Sequence, residues 1–390
     1  MMDAIPYGRQ HITQEDIDTV VEALQADFLT QGPRIKEFEE NFADYVGSKY
    51  AVAVSNGTAA LHLSVMALGL QPGDRVITTP ITFAASSNCV RYCQGELYYA
   101  DIDPETYTIS LESVKALLDA HPKGYFKGIV PVDFAGYPVD LEALRIMADQ
   151  HDLWILEDSC HAPGGYFVDS NNIKQYCGGN DYMDAAIFSF HPVKHIAAGE
   201  GGMITTNSEE IYQKLLILRT HGITKEELHY DIPFPEEQGS WYYEMKELGY
   251  NYRITDFQAA LGNSQLKRAD QGITRRQEIA NRYYEAFAGD KGIRCQKRKD
   301  QAFNAHHLFV IEVEDRKGLY DFLRAHHIFS QVHYIPVYLL PYYKRIGYEP
   351  GLCPNAEKYY RHCLSLPMYP TLTQQEQEHV ISCVKEFING

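Results

Sequence analysis

Residues 185–206 read Ala-Ala-Ile-Phe-Ser-Phe-His-Pro-Val-Lys-His-Ile-Ala-Ala-Gly-Glu-Gly-Gly-Met-Ile-Thr-Thr. The apolar run from Ala185 to Phe190 has the length of a strand, and Met203 to Thr206 forms a second run after a glycine-rich loop. Lys194 follows the first run, and Pro192 fixes the backbone ahead of it. A lysine that leaves a strand toward an apolar crevice loses hydration, which lowers its pKa and makes its amine available for a Schiff base. The stretch therefore predicts a sheet whose edge carries a reactive lysine.

Strand-length apolar runs alternate with helical patterns through the first half of the chain. The predicted strands are Tyr50 to Val54, Arg75 to Thr79, Leu97 to Ala100, Gly128 to Val132, Leu153 to Glu157, Ala185 to Phe190 and Met203 to Thr206. The predicted helices between them are Thr58 to Leu68, Ala84 to Tyr92, Ser110 to Ala120 and Asp140 to Gln150. This βαβ alternation predicts an α/β fold with a mostly parallel sheet. Functional side chains should then gather at the carboxyl ends of its strands.

The pattern changes after residue 260, where charged helices dominate. The predicted elements there are the helices Thr274 to Ala288, Arg316 to His326 and Thr373 to Phe387 and the strands His307 to Val313 and Phe329 to Tyr334. We therefore predict a large domain with an N-terminal arm over residues 1–260 and a small α+β domain over residues 261–390. An amphipathic helix should begin at Thr13. The Pro- and Glu-rich segment from Asp231 to Ser240 is expected to be a surface loop.

Composition narrows the classes of partner and compartment. The 390 residues include 52 acidic and 35 basic side chains and carry a formal charge of −17. Such a balance disfavours nucleic acid and anionic membranes as partners. No run reaches the roughly 18 apolar residues of a membrane span and no signal pattern opens the chain, so a cytoplasmic location is expected. The eight cysteines form no Cys-x-x-Cys pair, and no metal site is predicted.

Two further stretches carry residues suited to an anionic or electron-poor ligand. Ser55-Asn-Gly-Thr-Ala-Ala-Leu follows a strand and opens a helix, which offers backbone N–H groups and the Thr58 hydroxyl to an anion. Asp158 leaves a buried strand, and a carboxylate there needs a positive partner. The glycines after Lys194 precede a strand rather than a helix, so they are not a dinucleotide fingerprint, and no Walker or Gly-x-Ser-x-Gly motif occurs.

Taken in order, a series of motifs resembles one family from about residue 6 to Leu364-Ser-Leu-Pro-Met-Tyr-Pro. The motifs are Thr30-Gln-Gly-Pro, Asn56-Gly-Thr-Ala-Ala-Leu, Thr82-Phe-Ala-Ala, Glu157-Asp-Ser-Cys-His-Ala, Ser189-Phe-His-Pro-Val-Lys, Glu200-Gly-Gly, Arg219-Thr-His-Gly and Gly249-Tyr-Asn-Tyr-Arg. The family is the DegT/DnrJ/EryC1/StrS sugar aminotransferases. The resemblance implies the pyridoxal-phosphate-dependent transferase fold type I, the fold of aspartate aminotransferase, with pyridoxal 5'-phosphate as cofactor and a homodimeric assembly.

The resemblance also implies the catalytic roles of three residues. Lys194 matches the lysine that forms the internal aldimine and later shuttles a proton. Asp158 matches the acid that pairs with the pyridine nitrogen and keeps it protonated. His161 stands where much of the family has glutamine, near the cofactor ring and its hydroxyl, and either residue can donate a hydrogen bond there.

Five residues match the remaining cofactor contacts of the family. Thr58 through its hydroxyl, Ala59 through its N–H, and Ser189 match the phosphate-binding group of one subunit. Asn251 matches the asparagine that the neighbouring subunit contributes to the phosphate. Phe83 matches the aromatic residue stacked on the cofactor ring.

Within the family, the chain resembles most the aminotransferases of pseudaminic acid biosynthesis. Thr78-Thr-Pro-Ile-Thr-Phe, the histidine at position 161, Phe188-Ser-Phe-His and Gln331-Val-His-Tyr-Ile-Pro-Val-Tyr carry this likeness. It implies transfer of the amino group of L-glutamate to C4 of a UDP-2-acetamido-2,6-dideoxy-4-keto-hexose. A nucleotide-sugar diphosphate needs cations or N–H donors, and stacking can hold its rings. The candidates for these substrate contacts are Arg34, Arg253, His333 and Tyr334.

Three alternatives stay open at the level of sequence. The first is an aminotransferase for another nucleotide-linked sugar, such as a dTDP- or GDP-linked 4-keto or 3-keto hexose. The second is a related sugar dehydratase, which Lys194 disfavours because the dehydratases of the family replace that lysine with histidine. The third is a non-catalytic protein of this fold, in which the lysine, the aspartate or the phosphate-binding residues should be degraded.

Overall fold

The computed structural model describes residues 4–226, 228–230 and 232–390. In chain order its strands are β1 (Ile5–Pro6), β2 (Tyr50–Val54), β3 (Arg75–Thr78), β4 (Glu96–Tyr99), β5 (Gly128–Val130), β6 (Trp154–Asp158), β7 (Tyr166–Val168), β8 (Lys174–Tyr176), β9 (Ala185–Ser189), β10 (Gly202–Thr206), β11 (Ile223–Thr224), β12 (Glu244–Met245), β13 (Arg294–Cys295), β14 (Ala302–Phe303), β15 (Phe309–Glu312), β16 (Ile328–Phe329) and β17 (Cys363–Leu366).

The helices follow the strands along the chain. They are α1 (Gln14–Gln25), α2 (Pro33–Val46), α3 (Gly57–Ala67), α4 (Ala85–Tyr92), α5 (Leu111–Asp119), α6 (Leu141–Gln150), α7 (Glu209–Arg219), α8 (Asp256–Leu266), α9 (Ala269–Phe287), α10 (Arg316–Ala325), α11 (Pro341–Arg345), α12 (Pro354–His362) and α13 (Gln374–Asn389). Short 3-10 helices span Phe134–Gly136, Pro235–Glu237 and Val337–Leu339. Within the described residues, no helix is both long enough and apolar enough to cross a membrane.

A seven-stranded sheet forms the centre of the fold, in the order β2-β10-β9-β6-β5-β3-β4. The strands from β9 to β4 pair in parallel, whereas β10 runs antiparallel to both of its neighbours. The expected mostly parallel sheet is therefore confirmed. Gly202 of β10 pairs with Val54 on one side and with Ser189 on the other, so these two strand ends lie at the same edge of the sheet.

Both faces of the central sheet are covered. In β2, Val52 and Val54 belong to the core that includes α3, while Ala51 and Ala53 face the core that includes α2. This alternation follows from the two-residue period of a strand. A strand buried on both faces must be apolar throughout, which is why these runs could be read from the sequence.

A second core lies in the C-terminal part of the chain. It joins α9, α10 and α13 to an antiparallel sheet of order β13-β15-β17. Ile5 belongs to this core, because β1 pairs in parallel with β16. The N-terminal arm thus packs on the C-terminal region rather than on residues of the large domain alone. The boundary at residue 260 stays a prediction.

The predicted elements differ from the structure mainly at their ends. The strand expected to end at Glu157 runs on to Asp158, so this carboxylate is part of β6. The strand expected over Phe329 to Tyr334 shrinks to β16, and Gln331 makes only an isolated bridge to Ser365. Residues 232–240 contain a single 3-10 turn, as expected of a surface loop, and Asp231 lies outside the described residues.

Helix α1 begins as its sequence indicates. Thr13 caps it, and the Thr13 backbone N–H donates in return to the Asp16 carboxylate, which completes a capping box. Its apolar stripe, however, faces outward: Ile17, Val21 and Leu24 are 48%, 45% and 53% exposed in the single chain. The amphipathic pattern therefore predicts the helix correctly, but this stripe does not face the core of its own chain.

Candidate active site

A cavity of about 820 Å³ opens at the carboxyl ends of β2, β6 and β9. Its walls come from both cores and from the N-terminal arm. The lining residues are Tyr7, Asn56, Gly57, Thr58, Ala59, Leu61, Thr82, Phe83, Ala85, Ser86, Tyr92, Val132, Asp158, Cys160, His161, Ser189, His191, Val193, Lys194, Glu200, Tyr252, His307, Gln331, Val332, His333 and Tyr334. Nine of the residues predicted from the sequence are among them.

One end of the cavity is built as an anion site. A side chain on Gly57, the first residue of α3, would place its Cβ 3.0 Å from the Cβ of Ser189, so the start of this helix lies against the end of β9. The first N–H groups of a helix have no partner within it, and the helix dipole favours negative charge there. Gly57, Thr58 and Ser189 therefore present N–H and hydroxyl donors to one place, as a phosphate requires.

The helix cap modifies the predicted set of donors. Asn56 caps α3, and its Oδ1 accepts the N–H of Ala59 at 2.8 Å. The Ala59 N–H, expected to hold the phosphate, is thus engaged by the cap in this structure. A Cβ on Gly202 would come within 2.5 Å of the Asn56 carbonyl oxygen. This glycine consequently allows β10 to pass the turn before α3, instead of making room beside a ligand.

Lys194 is half-buried and lines the cavity, five residues beyond the end of β9. Its backbone N–H donates to the His191 carbonyl at 2.8 Å, which fixes the turn that carries it. Burial lowers the pKa of the Lys194 ammonium below its ordinary value, and the neighbouring Cys160 and Asp158 oppose that shift. A larger fraction of this amine is therefore neutral, and hence nucleophilic, than of an exposed lysine.

Asp158 ends β6 with only 5% of its surface exposed. One carboxylate oxygen accepts the Ser86 hydroxyl at 2.6 Å, and the other accepts the Cys160 N–H at 3.2 Å. Ser86 in turn shares a hydrogen bond of 2.7 Å with Thr82. These contacts hold the carboxylate in one orientation at the cavity wall, where it can face a cationic ring nitrogen.

His161 is buried and its tautomer is defined by the backbone. Its Nδ1 accepts the Ala135 N–H at 3.3 Å, so the neutral ring carries its proton on Nε2. Nε2 lies 3.5 Å from the Tyr334 hydroxyl. Burial, assisted by the charge of Lys194, holds the pKa of His161 well below its ordinary value. The residue is consequently a neutral hydrogen-bond donor at the cavity.

The remaining sequence-predicted residues divide into two groups. Phe83, His333 and Tyr334 line the cavity, and Phe83 is 62% exposed on its wall. Asn251 is exposed and lies outside the cavity of its own chain, where its backbone pairs with Thr220.

The two predicted arginines also lie outside that cavity. Arg34 sits in the first turn of α2, where its backbone N–H donates to Asp256, and Arg253 is half-buried three residues before α8. Their contacts with a substrate stay predictions. The same holds for the partner contact of Asn251.

Sequence reasoning missed several residues that the fold brings to the cavity. Ser86 orients Asp158, and its spacing of four from Thr82 at a helix start is the one local hint of this contact. His307 lines the cavity and lies 4.3 Å from His161 between ring centroids, although no motif singled it out. Tyr7 reaches the cavity from the N-terminal arm, which no local pattern indicates, whereas Glu200 lines it from the Glu200-Gly-Gly motif shortly after Lys194.

Together these groups define the chemistry of the ligand that fits. It has an anionic end for α3 and Ser189, an aromatic ring that Phe83 can contact, and a protonated ring nitrogen for Asp158. It also has an electrophilic carbon within reach of an amine on Lys194. Pyridoxal 5'-phosphate has all four features.

Comparisons with known proteins agree with this arrangement. Residues 10–385 match the DegT/DnrJ/EryC1/StrS aminotransferase family. The spore coat polysaccharide biosynthesis protein SpsC of Bacillus subtilis is 38% identical over 394 residues, covering 99% of this chain and 97% of that protein. The UDP-4-amino-4,6-dideoxy-N-acetyl-beta-L-altrosamine transaminase of Campylobacter jejuni is 34% identical over 381 residues, covering 96% and 95% of the two chains.

Solved structures share the whole fold. PseC of Helicobacter pylori, an aminotransferase involved in the biosynthesis of pseudaminic acid, superposes with a TM-score of 0.89 at 28% identity and covers 99% of this chain and 100% of its own. A putative sugar aminotransferase of Streptococcus pneumoniae in its PLP form gives a TM-score of 0.88 at 28% identity, with 99% of both chains covered. The expected fold class, the pyridoxal-phosphate-dependent transferase fold type I, is confirmed.

Proposed function

The chain belongs to the DegT/DnrJ/EryC1/StrS aminotransferase family and is a sugar aminotransferase. We propose that it uses pyridoxal 5'-phosphate to move the amino group of L-glutamate to C4 of a UDP-2-acetamido-2,6-dideoxy-4-keto-hexose. The observation that carries the mechanism is the meeting of Lys194, Asp158 and the α3–Ser189 anion site around one cavity. These three groups come from separate strand ends and suit the three polar parts of this cofactor.

The bound cofactor would supply an electron sink that stabilises negative charge on the carbon next to the transferred nitrogen. Asp158 supplies the carboxylate that keeps a proton on the pyridine nitrogen, which the sink requires. Ser189 and the first turn of α3 hold the phosphate and thereby fix the position of the ring. Phe83, on the cavity wall, would cover one face of the ring.

Lys194 acts through its Nζ atom. Its lowered pKa favours the neutral amine, which can attach to the cofactor carbonyl carbon. With the cofactor bound, the same Nζ would take a proton from one carbon of the substrate and return it to another. A residue that serves as base and then as acid works best with a pKa near the working pH, and burial moves Lys194 in that direction.

His161 and Tyr334 are proposed to act as neutral hydrogen-bond donors toward the cofactor hydroxyl and the sugar. Both lie at the cavity wall within 3.5 Å of each other. His333 lies beside them, and its Nδ1 is 2.8 Å from the Ser365 hydroxyl, so its ring position is fixed. Arg34 and Arg253 are proposed to contact the nucleotide diphosphate in the assembled enzyme.

A homodimer is part of this proposal. The exposed apolar stripe of α1, formed by Ile17, Val21 and Leu24, offers a surface for a second copy. Asn251 lies outside the cavity of its own chain and is proposed to reach the cofactor phosphate of the neighbouring subunit.

A second candidate differs only in the sugar. The SpsC relative, at 38% identity, is more similar in sequence than the altrosamine transaminase, at 34%, and its name refers to a spore coat polysaccharide. The similarity to SpsC supports another nucleotide-linked keto sugar as the alternative acceptor. A sugar dehydratase and a non-catalytic role are disfavoured, because the lysine, the aspartate and the anion site are all present.

The experiment that separates the two acceptors is a substrate panel. The purified enzyme with pyridoxal 5'-phosphate and L-glutamate is offered UDP-linked and dTDP-linked 4-keto sugars, and the amino sugars are measured by mass spectrometry. We expect the UDP-linked 2-acetamido-4-keto sugar to be converted with the highest kcat/KM. A higher kcat/KM for any dTDP-linked sugar would reject the proposed acceptor while leaving the mechanism intact.

A further inference from the structure

A buried group of acids lies directly behind the candidate active site. Asp133, Glu157 and Cys177 bring one side-chain ligand atom each within 4.8 Å of one another, and all three are buried. Glu157 immediately precedes Asp158 on β6, so its side chain points to the opposite face of that strand. Neither acid lines the cavity, and neither contacts the substrate in the proposed mechanism.

The two carboxyl groups accept different numbers of hydrogen bonds. Asp133 accepts the Val139 N–H at 2.9 Å and the Ser159 hydroxyl at 2.8 Å. Glu157 accepts one backbone donor, the Gly178 N–H, at 2.8 Å. The groups that shift the pKa of either acid most strongly include no cation. Two buried carboxylates this close, without a cation, cannot both be ionised.

We propose that Asp133 and Glu157 share one proton, carried by Glu157, and that this pair is a positioning element for Asp158 and His161. Asp133, which accepts more hydrogen bonds, then holds the negative charge and accepts a further one from the Glu157 carboxyl group. Such a bond joins the end of β6 to the segment after β5 without an unpaired charge in the core.

The segment after β5 contacts both residues that the pair is inferred to position. The Asp133 N–H donates to the Asp158 carbonyl at 3.1 Å, and the Asp158 N–H donates to the Pro131 carbonyl at 2.9 Å. Two residues later, the Ala135 N–H donates to Nδ1 of His161 and so selects its tautomer. A displacement of Asp133 would therefore move the backbone groups that hold Asp158 and His161 together.

The directions of the pKa shifts agree with this arrangement. Burial raises the pKa of Asp133 to about 6, and burial together with the charge of Asp133 raises that of Glu157 well above its ordinary value. The titratable groups that face the pair are the thiols of Cys177 and Cys160. Burial raises the pKa of both thiols well above the ordinary value, so they stay neutral.

Two isosteric variants test whether the pair holds a proton and which carboxyl group carries it. Glu157→Gln keeps an acceptor for the Gly178 N–H and supplies a permanent N–H for Asp133, so it imitates the proposed protonated state. Asp133→Asn removes the charge from the acid that has two donors and leaves it on Glu157, which has one. We expect infrared difference spectra at neutral pH to show a protonated carboxyl band in the wild type that is absent from Glu157→Gln.

The pH dependence of unfolding gives the same information independently. An acid whose pKa is raised in the folded state stabilises the protein at low pH, and that stability is lost as the pH rises toward the folded value. Between about pH 6.5 and about pH 8, the ratio of the unfolding constants of wild type and Glu157→Gln should rise about tenfold per pH unit. A flat ratio, with no carboxyl band assigned to Glu157, would overturn the shared proton. One equivalent of tightly bound metal, lost in Glu157→Gln, would overturn it too.

The positioning role is tested by cofactor binding to the apoprotein. We expect Glu157→Gln to bind pyridoxal 5'-phosphate within about twofold of the wild-type Kd and Asp133→Asn to bind at least about tenfold more weakly. A purely space-filling role would leave the two isosteric variants equal, and equal binding would overturn the positioning role. This test of positioning rests on the proposed function, which fails if the wild type does not bind the cofactor. The infrared and unfolding results would still show whether Glu157 carries a proton.

Discussion

Replacing Asp158 by asparagine removes one charge from the candidate site while keeping its shape. The asparagine Oδ1 can still accept the Cys160 N–H, now at 3.2 Å, and Ser86, now 2.6 Å away as a donor, can rotate its hydroxyl to accept from the new amide. The fold should therefore survive the change. What is lost is the carboxylate that the proposed mechanism pairs with a protonated ring nitrogen.

The size of the loss follows from electrostatics. Two opposite charges about 3 Å apart, at an effective dielectric constant near 20, attract by about 5 kcal/mol before desolvation is subtracted. If roughly 4 kcal/mol of this is used in the transition state, the rate falls about 10³-fold. The cofactor also keeps its phosphate and lysine attachments, so its Kd should rise far less, by about tenfold or below.

The assay is a single turnover of the cofactor-loaded enzyme with L-glutamate, followed by the change in cofactor absorbance. Ser86→Ala is the matched control, because it deletes one hydrogen bond to the same carboxylate and keeps the charge. A hydrogen bond to a charged group contributes about 1.5 to 3 kcal/mol, so this control should lose about 10- to 100-fold. If Asp158→Asn reacts within about tenfold of the wild type, or more slowly only because the cofactor has dissociated, the assigned role is refuted.

Three further predictions concern the surroundings of this residue. Gly57→Ala should raise the Kd for pyridoxal 5'-phosphate at least about tenfold, because its new Cβ would crowd Ser189 at 3.0 Å; an unchanged Kd in equilibrium dialysis would contradict this. His161→Gln should leave the pH profile of kcat/KM unchanged in shape between about pH 6 and about pH 8, since the pKa of His161 lies well below that window; a lost ionisation there would show that it titrates. Val21→Glu combined with Leu24→Glu should convert a dimer to monomers in sedimentation, with an unchanged sedimentation profile arguing against an α1 interface.

The positions of Lys194, Asp158 and Ser189 could be predicted because Asp158 and Ser189 end buried, mainly apolar strands and Lys194 follows one of them. The carboxyl ends of neighbouring parallel strands meet at one sheet edge, so locating the strands also located the side chains beyond them. The single antiparallel strand, β10, did not disturb this, because it begins at the same edge between β2 and β9.

Other features depended on contacts that no local pattern contains. The Asn56 cap engages the Ala59 N–H expected to hold the phosphate, and the packing of Gly57 on Ser189 is seen only in the folded chain. The role of Gly202 likewise became clear only once β10 was seen to pass the Asn56 carbonyl. The cavity contact of His307 arises where the second core meets the first, and a histidine pair in the sequence does not reveal which ring faces inward.

The resemblance to a known family supplied what residue patterns alone could not. Strand ends indicate that Lys194 is reactive, but the match over residues 10–385 identifies the chemistry as aminotransfer. The arginines show the limit of that approach. Arg34 and Arg253 were chosen for their charge, and within one chain neither lines the cavity.

The central claim is that Lys194 forms the covalent link to pyridoxal 5'-phosphate. The most direct measurement is borohydride reduction of the loaded protein, followed by proteolysis and mass spectrometry to locate the pyridoxyl group. We expect one modified peptide, containing Lys194, and no stable adduct in Lys194→Ala. A pyridoxyl group on a different lysine, or an equally abundant adduct in Lys194→Ala, would contradict it.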